Sequence, residues 1–241
     1  MAGRRTPGLI PACAAGLLWL GCSDASSPGA VRAAGVLSAP ATGQLSGQVL
    51  SGAHVAAPRV QSLPGCWSGD EGGELRPGPL AGALVRVLDA TPEPPPATPL
   101  LLEERGCRFT PAVAGLVEGQ GLLLRGADRE RHAWTVRRGG DLLFRVVQPA
   151  GAPAPAHGVP AGAEVLEVSC DEHPTARAYV FSRPNGHFAT TDAQGRFELH
   201  GLRPGFRTVE AWHPQLAPLR RTVEVTAAGQ GTLSFELAPR R

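Results

Sequence analysis

Apolar residues in this chain recur at every second position in short runs that Gly and Pro cut off. Alternation of that kind puts successive side chains on opposite faces of an extended strand, and no stretch shows the three- and four-residue spacing of an amphipathic helix. The pattern predicts strands at residues 45–50, 83–88, 100–104, 121–125, 133–136, 142–147, 164–170 and 178–182, then at 197–199, 207–212, 222–225 and 232–237. Within 164–170 it places Leu166, Val168 and Cys170 on one face. The expected fold class is all-β. The 241 residues suffice for one large sandwich or two of roughly 100 residues each.

The breaks between runs divide the chain. Residues 51–82 are rich in Gly and Pro and read as loop. The segment Thr91-Pro92-Glu93-Pro94-Pro95-Pro96 is stiff, because proline fixes φ and lacks an amide donor, and a new unit begins after it. Residues 25–43 hold mostly Ala, Gly, Ser and Pro with little periodic apolar content, which cannot repay the entropy of ordering. The expected organisation is a signal segment at 1–22, a tether at 23–44, early strands and loops at 45–97 that could belong to the C-terminal sandwich, a β unit at 98–183 and a sandwich at 184–241.

The amino terminus reads as an address. Arg4 and Arg5 precede an apolar stretch, residues 9–20, too short for a bilayer span and carrying Pro11, so it has the form of a secretory signal. Its Leu20-Gly21-Cys22 ending resembles a bacterial lipobox, although Trp19 stands where that motif usually has Leu. The resemblance implies acylation of Cys22 and a lipid anchor to a bacterial membrane, facing the periplasm or exterior, with ordinary secretion as the alternative. Formal net charge is +2, all 23 basic residues are arginine, and they are scattered rather than gathered with aromatics, so nucleic acid is not an expected partner.

Two segments carry candidate chemistry: Gly126-Ala127-Asp128-Arg129-Glu130-Arg131-His132 and, downstream, Cys170-Asp171-Glu172-His173. With the Phe109-Thr110-Pro111 opening strand, residues 100–183 resemble the cupredoxin family, a Greek-key β-sandwich with one upstream His followed by a C-x-x-H near its end. The resemblance implies that His132, Cys170 and His173 are equatorial ligands of copper, a thiolate and two imidazoles suiting both oxidation states. Two positions depart from the family. The only Met is Met1, so Thr175 or Ala176 stands near the place of the axial thioether, and Ala133 replaces the Asn that usually buttresses the site. Zinc is the lesser option and would want a fourth donor such as Glu172 or Asp171. The competing reading makes Cys170 a small buried hydrophobe or half of a disulfide, and His132 and His173 solvated loop residues. With Cys13 in the signal and Cys22 lipidated, Cys66, Cys107 and Cys170 remain in an oxidising compartment, and a Cys66–Cys107 disulfide would leave Cys170 for metal.

The most specific motif is residues 188–206, with Thr191-Asp192-Ala193-Gln194-Gly195-Arg196-Phe197-Glu198-Leu199 and Gly201-Leu202-Arg203-Pro204-Gly205 at its heart. It resembles the carboxypeptidase-regulatory-like, or transthyretin-like, β-sandwich, a non-catalytic module. Asp192 and Gly195 are expected to shape a hairpin turn, Phe197 and Leu199 to face the core, and Pro204-Gly205 to make the next turn. His187 and His213 are expected to be solvated near turns, and Trp212 to pack at a strand end. No H-E-x-x-H, G-x-S-x-G or phosphate-cradling glycine loop occurs, so no enzymatic activity is expected. The pairing of the two modules resembles bacterial envelope proteins labelled methylamine-utilisation-like. It implies a non-catalytic envelope lipoprotein that binds or scaffolds an unknown protein and retains a degenerate copper site. The alternatives are a copper-binding electron carrier or copper-handling protein, and a carbohydrate-binding sandwich.

Overall fold

A computed structural model describes residues 41–56, 66, 74–152, 156–159, 162 and 165–240. The signal segment, Cys22 and most of the tether lie outside the described residues, although β1 already begins within the segment assigned to the tether. The described residues contain no helix. They form β1 (Gly43–Ser51), β2 (Gly78–Pro79), β3 (Leu84–Val87), β4 (Leu100–Arg105), β5 (Arg108–Thr110), β6 (Val113–Val117), β7 (Gly121–Gly126), β8 (His132–Arg138), β9 (Asp141–Gln148), β10 (Ala156–Gly158), β11 (Leu166–Cys170), β12 (Arg177–Arg183), β13 (Phe188–Thr190), β14 (Arg196–Leu202), β15 (Gly205–Trp212), β16 (Leu219–Val225) and β17 (Gln230–Leu237).

Four sheets divide these strands. β14-β1-β17, with β2 beside β1, faces β13-β3-β15-β16 across an apolar core that includes Leu45, Val85, Phe197 and Phe235. β10-β7-β4-β5 faces β6-β12-β11-β8-β9 across a second core built on Leu102, Leu124, Trp134 and Val168. In sequence, the nine strands of the second pair of sheets stand wholly between β3 and β13 of the first. The exit and re-entry points are neighbours, since β3 pairs antiparallel with β13 through Phe188↔Arg86, Ala189↔Val85 and Thr190↔Leu84.

At β3 the sheet β13-β3-β15-β16 is covered on both faces, which explains why β3 is buried at every position instead of alternating. Val85 and Val87 enter the outer core, while Leu84 joins Val113, Phe181 and Trp212 in a seam against the inserted strands. The seam also holds a buried ion pair. Arg86 Nη2 reaches Glu210 Oε1 at 2.5 Å, its guanidinium lies 4.5 Å from the Phe181 ring centroid, and Arg220 donates to Glu210 Oε2 at 2.7 Å.

Several expectations need correction. The loop-like stretch 51–82 contains β2 and a bridge between Val55 and Leu75. The Asp192–Gly195 turn is not a hairpin. Asp192 Oδ1 accepts from the amides of Gln194 and Arg196, and Phe197 and Leu199 face the core as expected, but the turn carries the chain from β13 in one sheet to β14 in the opposite one. His213 is buried rather than solvated. Burial, and then the Arg240 charge, push its imidazole down to about 4. His187 is also engaged, through Glu93 Oε1 at 3.1 Å and the His200 carbonyl at 3.2 Å. Trp212 packs edge-on to Phe181 in the seam.

Candidate metal centre

Strand parity builds the site. In β4, Leu102 points into the inner core, so Glu104, two residues on, points the same way from one sheet. From the facing sheet, His132 shares the inward parity of Trp134 and Val136 at the start of β8, and Cys170 shares that of Leu166 and Val168 at the end of β11. β11 and β8 pair so that Cys170 lies opposite Trp134, one inward position from His132. The loop after β11 then folds back, with the Ala176 amide donating to the His173 carbonyl at 2.8 Å, and delivers His173. At this end of the sandwich the ligand-capable atoms of Glu104, His132, Cys170 and His173 all lie within 4.8 Å of one another. Glu104 and His132 are fully buried, Cys170 nearly so, and the His173 side chain is 13% exposed.

The hydrogen bonds orient each donor. His132 Nε2 donates to Asp128 Oδ1 at 2.8 Å, which leaves Nδ1 facing the cluster. Nδ1 lies 3.2 Å from Glu104 Oε2, yet it makes no hydrogen bond and is wholly buried. Glu104 accepts from Trp134 Nε1 at 2.5 Å and from His173 Nδ1 at 2.8 Å. Cys170 Sγ is 3.5 Å from that same His173 nitrogen. The His132 ring stacks on Trp134 at 5.3 Å and 12°. On another side it rests against Gly126, where a Cβ would fall 2.1 Å from His132 Cδ2.

No family model and no curated protein sequence matches this chain.

The cluster can hold a metal ion. A buried imidazole nitrogen without a hydrogen bond normally costs stability, and here that nitrogen points at a carboxylate, a thiol and a second imidazole. All four donors are types that bind zinc or copper. Asp128 supplies the outer carboxylate that commonly fixes the tautomer of a ligating histidine. Burial alone would raise its carboxyl, but the Glu130 amide, His132 and the Gly106 amide together hold it below the usual carboxylate range. Burial and then the Glu104 charge push the Cys170 thiol up to about 11, against opposing backbone amides of Ala133, Glu172 and His173. Without a metal the sulfur therefore keeps its proton at neutral pH and is a poor nucleophile.

His132, Cys170 and His173 thus converge, and Glu104 joins them as a fourth donor that the sequence reading did not name. The fourth donors it did name lie elsewhere. Glu172 pairs with Arg131, and Asp171 is held by Thr135 Oγ1 at 3.1 Å and Arg145 Nη2 at 2.7 Å. Ala176 lies in the apolar core, and Thr175 Oγ1 is 3.5 Å from the Cys107 carbonyl. Buttressing comes from Asp128 and Trp134 rather than from the position of Ala133. A disulfide joins Cys66 to Cys107, leaving Cys170 as a free, buried thiol among the described residues. Cys107 follows Gly106 in a two-residue turn with both φ angles positive, 54° and 66°, between paired Arg105 and Arg108. Asp128 Oδ2 accepts from the Gly106 amide at 3.2 Å, tying that turn to the carboxylate that orients His132.

Proposed function

We propose that this chain is a non-enzymatic metal-binding protein of the bacterial cell envelope, anchored through a lipidated Cys22, whose inner, cupredoxin-like sandwich holds copper through Glu104, His132, Cys170 and His173. The observation that carries this reading is the orphaned, buried His132 Nδ1 directed at three further donors. Four converging donors, three of them buried, where the family pattern supplied three in all, favour a working centre over a relic. Bound metal would displace the Cys170 proton and supply the positive charge that an interior carboxylate and thiolate require. The residues position it: Asp128 fixes the His132 ring, Trp134 holds Glu104, and the Cys66–Cys107 bridge fastens the turn next to β4. Zinc suits the same four donors and is the second metal.

Loading purified protein with Cu(II), exchanging the buffer and measuring metal by mass spectrometry together with the visible spectrum tests this. One copper per chain and a sulfur-to-copper absorption band, both lost in Cys170→Ala, are expected. Absence of bound metal after loading under oxidising and under reducing conditions refutes the centre and leaves a scaffolding module with a relic site.

A further inference from the structure

The donor set also fixes the charge that its ion must carry. Glu104 brings one negative charge, Cys170 brings a second once metal displaces its proton, and His132 and His173 bind as neutral rings. A divalent ion makes the four-ligand centre neutral, whereas a monovalent ion leaves it with one unbalanced negative charge. Nearby groups increase the difference. The Asp128 carboxylate sits on the far nitrogen of His132 and adds further negative potential. Of the arginines nearby, Arg131 is paired with Glu172, Arg145 with Asp171 and Arg105 with Glu103, and none of these ion pairs includes a ligand atom of the cluster. Glu104 and His132 are fully buried, so water screens the residual charge poorly, and net charge in such a place is disfavoured.

Resting on the metal reading above, we infer that this centre is a divalent-ion site rather than a one-electron shuttle: the Glu104 carboxylate selects Cu(II) or Zn(II) and discriminates against Cu(I). Two neutral rings and a thiolate alone would carry one negative charge and balance a monovalent ion. The carboxylate, entering from the opposite sheet, moves the balance point to two. A protein so built stores, delivers or is stiffened by a divalent ion, and its copper resists reduction.

Chelator competition on the purified protein tests the idea, with Cu(II) and Zn(II) in air and Cu(I) under anaerobic reductant. Glu104→Gln keeps the shape and removes the charge. It is expected to weaken divalent binding at least tenfold more than Cu(I) binding, which for a one-electron couple raises the Cu(II)/Cu(I) potential by about 59 mV. Asp128→Asn removes a charge without touching a ligand atom and keeps an oxygen acceptor for His132. It should shift the same ratio in the same direction by a smaller factor, and it provides the test if Glu104→Gln does not fold. Equal losses for both charge states, or a wild-type preference for Cu(I), overturn the inference while leaving a metal centre. No uptake of either ion by wild type overturns the centre and the inference together.

Discussion

Gly126 is where a single methyl group tests the geometry of the centre. Its backbone lies outside the left-handed region, so alanine is conformationally acceptable there, yet an added Cβ would sit 2.1 Å from His132 Cδ2 and 2.3 Å from Nε2. Carbon atoms approach comfortably to about 3.5 Å, so the ring has to retreat by roughly 1.4 Å. It cannot do so freely. Trp134, itself fully buried, stacks on the ring, and the Gln148 side chain holds the Gly126 amide at 3.0 Å. Retreat also pulls Nε2 from Asp128. Overpacking of this kind costs about 1–3 kcal/mol of stability. Loss of the outer carboxylate contact weakens metal binding ~10- to 100-fold. Gly126→Ala is therefore expected to unfold at lower urea and to bind Zn(II) or Cu(II) at least tenfold more weakly. Far-UV circular dichroism should stay unchanged. Gly158→Ala is the control, because nothing lies within 4 Å of its added Cβ. Metal affinity within threefold of wild type in Gly126→Ala would show that His132 is not held as described.

Replacing both Cys66 and Cys107 by Ser opens a loop with a sequence separation of 41, which in the chain-entropy model lowers stability by about 4 kcal/mol. Urea unfolding of the two proteins measures it, and a loss below ~1 kcal/mol would mean that the bridge closes a loop already restricted in the unfolded chain. Glu210→Ala strips the buried Arg86 of its carboxylate and should cost about 3–5 kcal/mol, whereas joint replacement of Arg86 and Glu210 by Met and Leu should cost far less. The same urea assay separates these outcomes. His213 makes stability depend on pH: the unfolded ring takes up a proton below its ordinary 6.5, the folded ring not until about 4. Its contribution is complete above 6.5 and is lost as pH falls towards 4, so His213→Gln should flatten the urea midpoint over that window. An unchanged slope would contradict burial of a neutral ring.

Alternation alone made the longer strands legible, and it put Cys170 on the inward face with Leu166 and Val168, where the structure has it. Short strands such as β5 and β13 span too few residues to show a period, and β3, with Arg86 buried among its apolar residues, shows no in-out alternation because its second face is covered by the inserted strands. The three-ligand pattern was implied by the resemblance to the cupredoxin order of one upstream His and a later C-x-x-H. Glu104 was missed, although its parity with Leu102 was in plain view: a carboxylate at an inward position of a strand requires a partner, and that signal was available. His213 and Glu210 could not be found in this way, since what buries them comes from strands and loops distant in sequence.

The insertion between β3 and β13 governs how the protein can be made. β1 is a central strand, yet Ser46 pairs with Glu198 on one side and Thr232 on the other, so both neighbours emerge from the ribosome long after it. During synthesis β1 and β3 present apolar faces and open edges with nothing to cover them. The inserted sheets hold all their own strands and can close first. Closure brings the ends of β3 and β13 together and leaves the outer sandwich to assemble last. A nascent chain halted before β17 should thus carry the assembled Glu104, His132, Cys170 and His173 cluster beside an outer layer still lacking its parallel closing strand.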